Sequence, residues 1–208
     1  MYRYQTMSRL VGGRVVAIVR EGSRSEGRRV VSLLVGLGVP ALEVTATTPG
    51  VYDLVEEVGG GRSLVGVGTV LAASQAVDAA QAGASYVVTP NFCPEVIRAA
   101  HRHGLAALVG CATPTEIVTA LEAGADAIKV FPADTLTPAF LRAVHGPLPW
   151  APLIPVGGVT VDNARTWLDH GAVAVALGSA LTKGTDPEIA ERVRQLLTNI
   201  ADPPLAPR

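Results

Sequence analysis

Glycine recurs along the chain at nearly regular intervals. Eight glycines are separated by 25, 22, 23, 21, 20, 22 and 25 residues, and each comes shortly before an apolar, often β-branched run. These glycines are Gly13, Gly38, Gly60, Gly83, Gly104, Gly124, Gly146 and Gly171. Glycine readily adopts the left-handed conformation that ends many helices, and continuous apolar runs are typical of parallel strands covered on both faces. The period therefore predicts eight units, in each of which a helix ends at a glycine before a strand.

The apolar runs and the segments between them define the predicted fold. The runs are VVAIVR, ALEVTA, SLVGVGT, YVVTP, AALVGCA, AIKVFP, APLIPVGG and VAVALG. Helical patterns such as SEGRRVVSLLVGLG and TPTEIVTALEAG separate them, with Ser, Thr or Asp at the expected N-caps. Eight strand–helix units predict an α/β protein with a (β/α)8 TIM barrel, because a doubly wound sheet usually has fewer strands.

The remaining segments place the domain boundaries. Residues 1–12 are predicted to form a short lead-in helix at the amino-terminal end of the barrel. No linker or change of composition divides the chain, so residues 1–201 are predicted to be one barrel domain. The tail, residues 202–208, contains three prolines and is predicted to be disordered.

Composition limits the classes of partner. The formal net charge of −1 and pI of about 6.4 give no basic surface for nucleic acid or an anionic membrane. No signal peptide or membrane span is apparent, and Cys93 and Cys111 have no metal-ligand or CxxC spacing. Two isolated thiols fit a reducing compartment, so a cytoplasmic enzyme or binding domain is expected.

Lys129 lies inside an apolar strand pattern, although only two of the 17 basic residues are lysines, the other being Lys183. The ordinary explanation is an ion pair or a side chain that reaches solvent, but arginine would serve an ion pair equally well. An apolar setting disfavours the ammonium form and frees the amine to attack a carbonyl carbon. Lys129 is therefore the candidate Schiff-base nucleophile.

Three polar residues end the first three strands, at the edge where barrel enzymes carry their chemistry. Glu43 is a carboxylate in an apolar run, either a structural partner of Lys129 or Arg20 or the acid–base group. Arg20 is either an exposed charge or a bidentate clamp for a substrate carboxylate. The hydroxyl of Thr69 either binds substrate or caps the next helix.

Strands seven and eight end in PVGGVT and ALGSAL. Gly157 and Gly158 expose backbone N–H groups, and a helix predicted to begin near Thr160 points its positive end at them. Gly178 and Ser179 are expected to expose backbone N–H groups in the same way at the end of strand eight. Loops after strands seven and eight commonly bind phosphate in this fold, so these four residues form the candidate phosphate site.

No metal site is expected. The four histidines, His101, His103, His145 and His170, lie in or at the ends of predicted helices at the opposite edge of the barrel. Only Glu43 is placed as a metal ligand at the strand ends, whereas a metal-dependent barrel enzyme needs several ligands there.

Together these residues fit a Schiff-base aldolase acting on a phosphorylated 2-keto acid. Two alternatives remain open. A phosphate-binding barrel isomerase or epimerase would share the loops after strands seven and eight, and a non-catalytic phosphosugar-binding barrel would bind without turnover.

At these residues the sequence resembles the 2-keto-3-deoxy-6-phosphogluconate (KDPG) aldolases, a family that includes 4-hydroxy-2-oxoglutarate (KHG) aldolases. The similar segments run in order along nearly the whole chain: AIVR, LEVT, VGVGTVL, VTPNF, GCATPTE, LEAGADAIKVFPA, PVGGVT and ALGSAL. The resemblance implies a homotrimer without metal or organic cofactor. It also implies cleavage of KDPG to pyruvate and glyceraldehyde 3-phosphate, and of KHG to pyruvate and glyoxylate.

The resemblance also assigns roles to individual residues. Lys129 would form the Schiff base, Glu43 would be the general acid and base, and Thr69 with Arg20 would hold the pyruvyl carboxylate. Gly157, Gly158, Gly178 and Ser179 would bind phosphate, while Pro90 would line the pocket.

Two positions depart from the family pattern. Many members have an arginine shortly after LEVT, where this chain has Thr47, so the carboxylate would fall to Arg20. Val156 replaces the threonine of strand seven, as in the 2-keto-3-deoxy-6-phosphogalactonate aldolases, whose substrate differs at C4. LEVT is closer to the gluconate enzymes, so these residues leave the epimer preference open. KDPG is taken as the favoured substrate because the gluconate subgroup is larger, and the galactonate epimer is the alternative.

Overall fold

The computed structural model describes residues 2–201, in which eight parallel strands form one barrel. The strands are β1 (Val15–Val19), β2 (Ala41–Thr45), β3 (Leu64–Gly68), β4 (Tyr86–Val88), β5 (Ala106–Cys111), β6 (Ala127–Val130), β7 (Leu153–Pro155) and β8 (Val175–Leu177). Each of the eight predicted runs contains one of these strands, so the TIM-barrel prediction is confirmed. The predicted disordered tail, residues 202–208, lies outside the described residues.

Neighbouring strands pair in sequence order from β1 to β7, and β8 pairs with β1. The pairing between β7 and β8, which completes the ring, is less extensive than the others. There, Val156 and Ala176 form a single bridge, and the Val173 N–H donates to the Leu153 carbonyl over 3.0 Å. These contacts nearly close the ring of strands. Because all eight strands are parallel, their carboxyl ends lie at the same edge of the barrel.

Helices alternate with the strands and cover the barrel. They are α1 (Arg3–Gly13), α2 (Arg24–Gly36), α3 (Val51–Val58), α4 (Ala73–Gln81), α5 (Pro94–Arg102), α6 (Pro114–Glu122), α7 (Pro138–His145), α8 (Ala164–Asp169), α9 (Ser179–Thr182) and α10 (Asp186–Asn199). Two N-caps follow the expected chemistry, since Ser23 accepts from the Glu26 N–H and Thr113 forms a capping box with Glu116. No helix within residues 2–201 is long and apolar enough to span a membrane.

The apolar residues form two layers, separated by the strands. One layer lies between strands and helices, and the other fills the barrel interior with residues such as Val16, Ala41, Leu64 and Ile154. Side chains alternate between the layers along each strand, because successive strand residues point to opposite faces. Position along a strand therefore decides which side chains face the interior.

The lead-in helix α1 is present where it was predicted. Its Leu10 is fully buried and packs with the interior cluster, and Arg3 lies 3.6 Å from Asp126, which immediately precedes β6. The helix thus covers the amino-terminal end of the barrel and leaves the carboxyl-terminal end open.

Two of the eight glycine predictions are wrong. Gly38, Gly60, Gly83, Gly104, Gly124 and Gly171 have positive φ, as predicted. Gly13 is still inside α1, and Arg14 adopts the left-handed conformation in its place with φ of 59°. Gly146 ends α7 in a right-handed conformation with φ of −52°. A glycine before a strand marks the end of a helix, but not which residue reverses the chain.

Candidate active site

Lys129 and Glu43 face each other inside the barrel near the carboxyl ends of their strands. Their positions alternate with apolar residues that point outwards, so both side chains enter the interior layer. The Lys129 Nζ lies 3.8 Å from Glu43 Oε1, and the two side chains are 6% and 2% exposed. Among the described residues, Glu43 Oε1 has no hydrogen-bond partner. A buried carboxylate oxygen left unpaired is rare and points to a functional group.

Glycines on neighbouring strands create the space that these residues occupy. A Cβ on Gly68 would lie 1.9 Å from Glu43 Oε1, so any larger residue there would displace the carboxylate. A Cβ on Gly66 would lie 2.4 Å from the Tyr86 ring, and one on Gly110 would lie 2.2 Å from the Pro90 carbonyl. The small residues of β3 and β5 are therefore required by the packing inside the barrel.

Two other ionisable groups near this site stay neutral. Burial, together with the charge of Glu43, raises the pKa of Tyr86 well above its ordinary value, and its hydroxyl donates to the Leu42 carbonyl over 2.6 Å. Burial, with a smaller contribution from Glu116, raises the pKa of Cys111 to about 12. Neither group competes with Lys129 as a nucleophile or with Glu43 as a base at neutral pH.

Arg20 follows β1 and is held by two threonines at the rim. One guanidinium nitrogen donates to the Thr47 hydroxyl at 3.1 Å, and the other donates to the Thr69 hydroxyl at 3.2 Å. Thr69 has a positive φ of 58°, an uncommon conformation for threonine that places its hydroxyl toward Arg20. Helix α4 is capped instead by Gln75, which accepts from the Leu71 and Ala72 N–H groups. The helix-capping alternative for Thr69 is therefore wrong.

The loops after β7 and β8 hold the predicted phosphate residues. Among the turn and loop hydrogen bonds of residues 2–201, none is donated by the backbone N–H groups of Gly158, Gly178 or Ser179. Gly157 and Gly158 have φ of 97° and 68°, values that favour glycine. The helix expected near Thr160 begins later, at Ala164. Thr160 and Asn163 bond to each other first, so a turn precedes the helix.

Val156 and Pro90 follow β7 and β4 at the carboxyl end of the barrel. Val156 is 6% exposed, packs with the interior cluster, and pairs through its backbone with Val130 and Ala133. Pro90 is half-buried where β4 ends, and its carbonyl lies over Gly110. Both predicted lining residues are thus near the carboxyl end of the barrel.

Sequence reasoning missed two residues at this edge. The Phe131 ring is 38% exposed and lies 5.1 Å from the Lys129 Nζ, a cation–π distance. Its position two residues after Lys129 was a usable signal, because both face the same side of β6. Asp134 belongs to a short 3₁₀ helix, and its Cβ would lie 2.7 Å from a Cβ on Gly158. No sequence signal places that carboxylate beside the glycines.

The histidines lie away from this edge or in helices, as predicted. His101 bonds to Asp126 at 2.9 Å, His145 to the Ala151 carbonyl at 3.0 Å and His170 to the Thr166 carbonyl at 2.8 Å. Within the described part of the chain, no group of three or more His, Cys, Asp or Glu side chains is arranged to hold a metal ion.

Comparison with known proteins agrees with this geometry. The family model "KDPG and KHG aldolase" matches residues 6–196. The chain is 37% identical over 171 residues to 2-dehydro-3-deoxy-6-phosphogalactonate aldolase of Escherichia coli (strain K12), covering 80% of this chain and 83% of the relative. It is 38% identical over 117 residues to 2-dehydro-3-deoxy-phosphogluconate aldolase of Treponema pallidum (strain Nichols), covering 56% of each.

A solved structure of native KDPGal has a TM-score of 0.84 at 33% identity, covering 90% of this chain and 94% of the other. The fold and these matches define a barrel aldolase, an enzyme that cleaves carbon–carbon bonds. The chain belongs to the KDPG and KHG aldolase family.

Proposed function

We propose that this protein is a class I aldolase that forms a Schiff base through Lys129. The observation that carries the proposal is the pair of buried side chains, Lys129 and Glu43, 3.8 Å apart at the carboxyl end of the barrel. A buried lysine amine beside a carboxylate at this end of the barrel is placed to attack a keto carbon. A phosphate-barrel isomerase would need no such lysine, and a binding protein would gain nothing from it.

The pair provides both functions that the reaction requires. The Lys129 amine adds to the C2 keto carbon, and loss of water gives an iminium ion. Glu43 takes the proton of the C4 hydroxyl as the C3–C4 bond breaks, and the bonding electrons move into the iminium to form an enamine. The aldehyde leaves, C3 of the enamine is protonated, and water releases pyruvate. One carboxylate can serve each proton transfer because its two protonation states alternate.

The two anionic ends of the substrate have complementary groups on the rim. Arg20, oriented by Thr47 and Thr69, supplies donors for the pyruvyl carboxylate. The backbone N–H groups of Gly157, Gly158, Gly178 and Ser179 are the proposed donors for the phosphate, and those of Gly158, Gly178 and Ser179 donate no turn or loop hydrogen bond among residues 2–201. The proposed substrate class is therefore a phosphorylated 2-keto acid, with Pro90 and Val156 lining the space between its ends.

The proposed substrate is 2-keto-3-deoxy-6-phosphogluconate, which gives pyruvate and glyceraldehyde 3-phosphate. The second candidate is the galactonate epimer, favoured by Val156 and by the relative that covers 80% of the chain. Both epimers undergo the same bond cleavage, so we propose that the enzyme turns over both. Cleavage of KHG to pyruvate and glyoxylate is a third proposed activity, which the family name supports.

Borohydride trapping tests the mechanism. Incubation with pyruvate and borohydride should add a reduced pyruvyl group to Lys129, located by peptide mass spectrometry. Absence of the adduct, with pyruvate release intact, would exclude the Schiff base. Pyruvate release from the two phosphorylated epimers, measured side by side, then identifies the substrate, and sugar-phosphate binding without turnover would favour the binding-protein alternative.

We further propose a homotrimer in the cytoplasm that uses no metal or organic cofactor. The family resemblance supports the trimer and the mechanism, and the two unpaired cysteines, Cys93 and Cys111, fit a reducing compartment. Light scattering on the purified protein checks the assembly, and turnover after treatment with a chelator checks the absence of a metal requirement.

A further inference from the structure

The second lysine of the chain is also at the carboxyl edge of the barrel. The Lys183 Nζ forms an ion pair with Glu21 Oε2 at 2.9 Å, and the side chains are 60% and 9% exposed. Glu21 is thus nine-tenths buried although it lies in a surface loop. Its backbone N–H also donates to the buried Thr48 hydroxyl at 3.3 Å, so Glu21 is held at both backbone and side chain.

This ion pair joins the two loops that carry opposite ends of the proposed site. Glu21 directly follows Arg20, the proposed carboxylate ligand. Lys183 directly follows α9, which begins at Ser179, one of the proposed phosphate residues. The Lys183 N–H donates to the Ser179 carbonyl at 3.2 Å, which links the lysine backbone to the phosphate loop.

A hydrogen-bonded network continues from Glu21 to the guanidinium of Arg20. The Thr48 hydroxyl contacts that of Thr45 at 3.2 Å, and Thr45 contacts Thr47 at 2.9 Å. Thr47 in turn accepts from Arg20. These bonds tie both the Glu21 backbone and the Arg20 guanidinium to the threonines at the end of β2, so the two residues share one support.

The pair differs from ordinary surface ion pairs of this protein. Arg194 and Glu191 pair within one helix, and both side chains are more than half exposed. Such pairs contribute little to structure. The Glu21–Lys183 pair instead connects residues 162 apart in sequence, and one partner is buried.

We propose that Glu21 and Lys183 form a positioning pair that fixes the spacing between the carboxylate-binding and phosphate-binding loops. The pair thereby favours 2-keto acids that carry a distal phosphate over those that lack one. Neither residue is assigned contact with the reacting atoms. This inference rests on the proposed function, because it uses the same two loops.

A direct attraction between Lys183 and the substrate phosphate is the competing explanation, and it predicts the opposite effect at Glu21. Removing the carboxylate would then free the lysine and strengthen phosphate binding. In a positioning pair, loss of either partner releases the loops and weakens binding. Glu21→Gln, which keeps the shape of the side chain, therefore distinguishes the two.

The test compares Lys183→Met, Glu21→Gln and Lys183→Arg with wild type on the phosphorylated substrate and on unphosphorylated 2-keto-3-deoxygluconate. Lys183→Met and Glu21→Gln should each raise KM for the phosphorylated substrate about fivefold, the size expected for a half-buried ion pair. Both should leave kcat, KM for the unphosphorylated acid and pyruvate trapping at Lys129 near the wild-type values. Lys183→Arg, which keeps the pair, should be close to wild type. Arg194→Met is the matched control for loss of one surface charge.

Each alternative result overturns the positioning pair. A lower KM in Glu21→Gln would establish direct attraction by Lys183. An unchanged KM in both variants would remove any role for the pair, and equal losses on both substrates would indicate a general effect on folding. Failure of the proposed function is visible separately, since wild type would then form no pyruvyl adduct or show no preference for the phosphorylated acid.

Discussion

The two ends of the barrel differ in how their carboxylates are hydrogen-bonded. At the amino-terminal end, Asp126 accepts hydrogen bonds from the His101 ring and the Ala107 N–H, both at 2.9 Å. At the carboxyl-terminal end, the carboxylate of Glu43 has one oxygen without a hydrogen-bond partner among the described residues, and Lys129 is 3.8 Å away. The Asp126 carboxylate is hydrogen-bonded to two neighbours, whereas Oε1 of the Glu43 carboxylate has only the Lys129 ammonium nearby.

This difference in hydrogen bonding suggests different roles for the two carboxylates, one in stability and the other in function. A carboxylate with several donors contributes to folding and has little capacity left for a ligand. A buried carboxylate with an unpaired oxygen costs stability, and that cost is retained where the group must exchange protons or bind substrate. We therefore expect substitutions at the carboxyl end to reduce activity and substitutions at the amino end to reduce stability.

The largest effect is expected for Lys129→Arg. Arginine keeps the positive charge and most of the packing, but it cannot form a Schiff base, so turnover should fall by about 10⁴-fold or more. Pyruvate release measures the loss, and urea unfolding of the variant checks that the fold is intact. Substantial turnover in the folded variant would contradict the Schiff-base mechanism.

Glu43→Gln comes second. Glutamine preserves the shape of the side chain but cannot accept and return protons, so the rate should fall by roughly 10²–10⁴-fold. Pyruvate should still be trapped on Lys129 by borohydride, because the amine is untouched. Near-normal turnover would show that another group performs the proton transfers.

Gly68→Ala tests the same carboxylate without changing its chemistry. The added Cβ would lie 1.9 Å from Glu43 Oε1, so Glu43 must move. A displacement of this kind should lower kcat by about 10²-fold. Gly12→Ala, where a Cβ meets nothing within 4 Å, is the matched control and should keep full activity. A normal kcat in Gly68→Ala would mean that the position of Glu43 is not critical.

These variants also show what the sequence could predict. The strands were predictable because apolar runs follow a regular period, and Lys129 and Glu43 were recognisable as lone charges within such runs. The clash between a residue at 68 and Glu43 was not predictable, since it depends on the register of β2 against β3. The bond from Arg20 to Thr47 was equally hidden, because a threonine in a turn gives no signal of its partner.

At the amino-terminal end, Asp126→Ala should affect stability and leave catalysis unchanged. The substitution removes the acceptor of the His101 ring and the Ala107 N–H, at a cost of about 2 kcal/mol, or roughly thirtyfold in the folding equilibrium. Urea unfolding measures the loss, while kcat of the folded enzyme should equal the wild-type value. A large fall in kcat without loss of stability would contradict the assignment of stability to the amino-terminal end and of activity to the carboxyl-terminal end.

Val156→Thr is expected to have the smallest effect. It tests whether residue 156 belongs to the packed interior of the barrel or to the substrate site. Val156 is apolar and packs with the barrel interior, like residues nearer the amino end, yet it lies beside the proposed site. Threonine has nearly the same shape and adds a hydroxyl that can bond a substrate hydroxyl. One neutral hydrogen bond is worth about 0.5–1.5 kcal/mol, so the ratio of rates on the two epimers should shift a few-fold to tenfold towards the gluconate epimer.

The measurement is kcat/KM for both phosphorylated epimers in wild type and variant, because a ratio cancels differences in the amount of active enzyme. Wild type should cleave both epimers detectably, since valine offers no hydrogen bond to either C4 hydroxyl. If the ratio does not change, residue 156 does not distinguish the C4 hydroxyl. Val156 would then be part of the packed interior of the barrel, and the substrate site would begin at residues closer to the carboxyl-terminal edge.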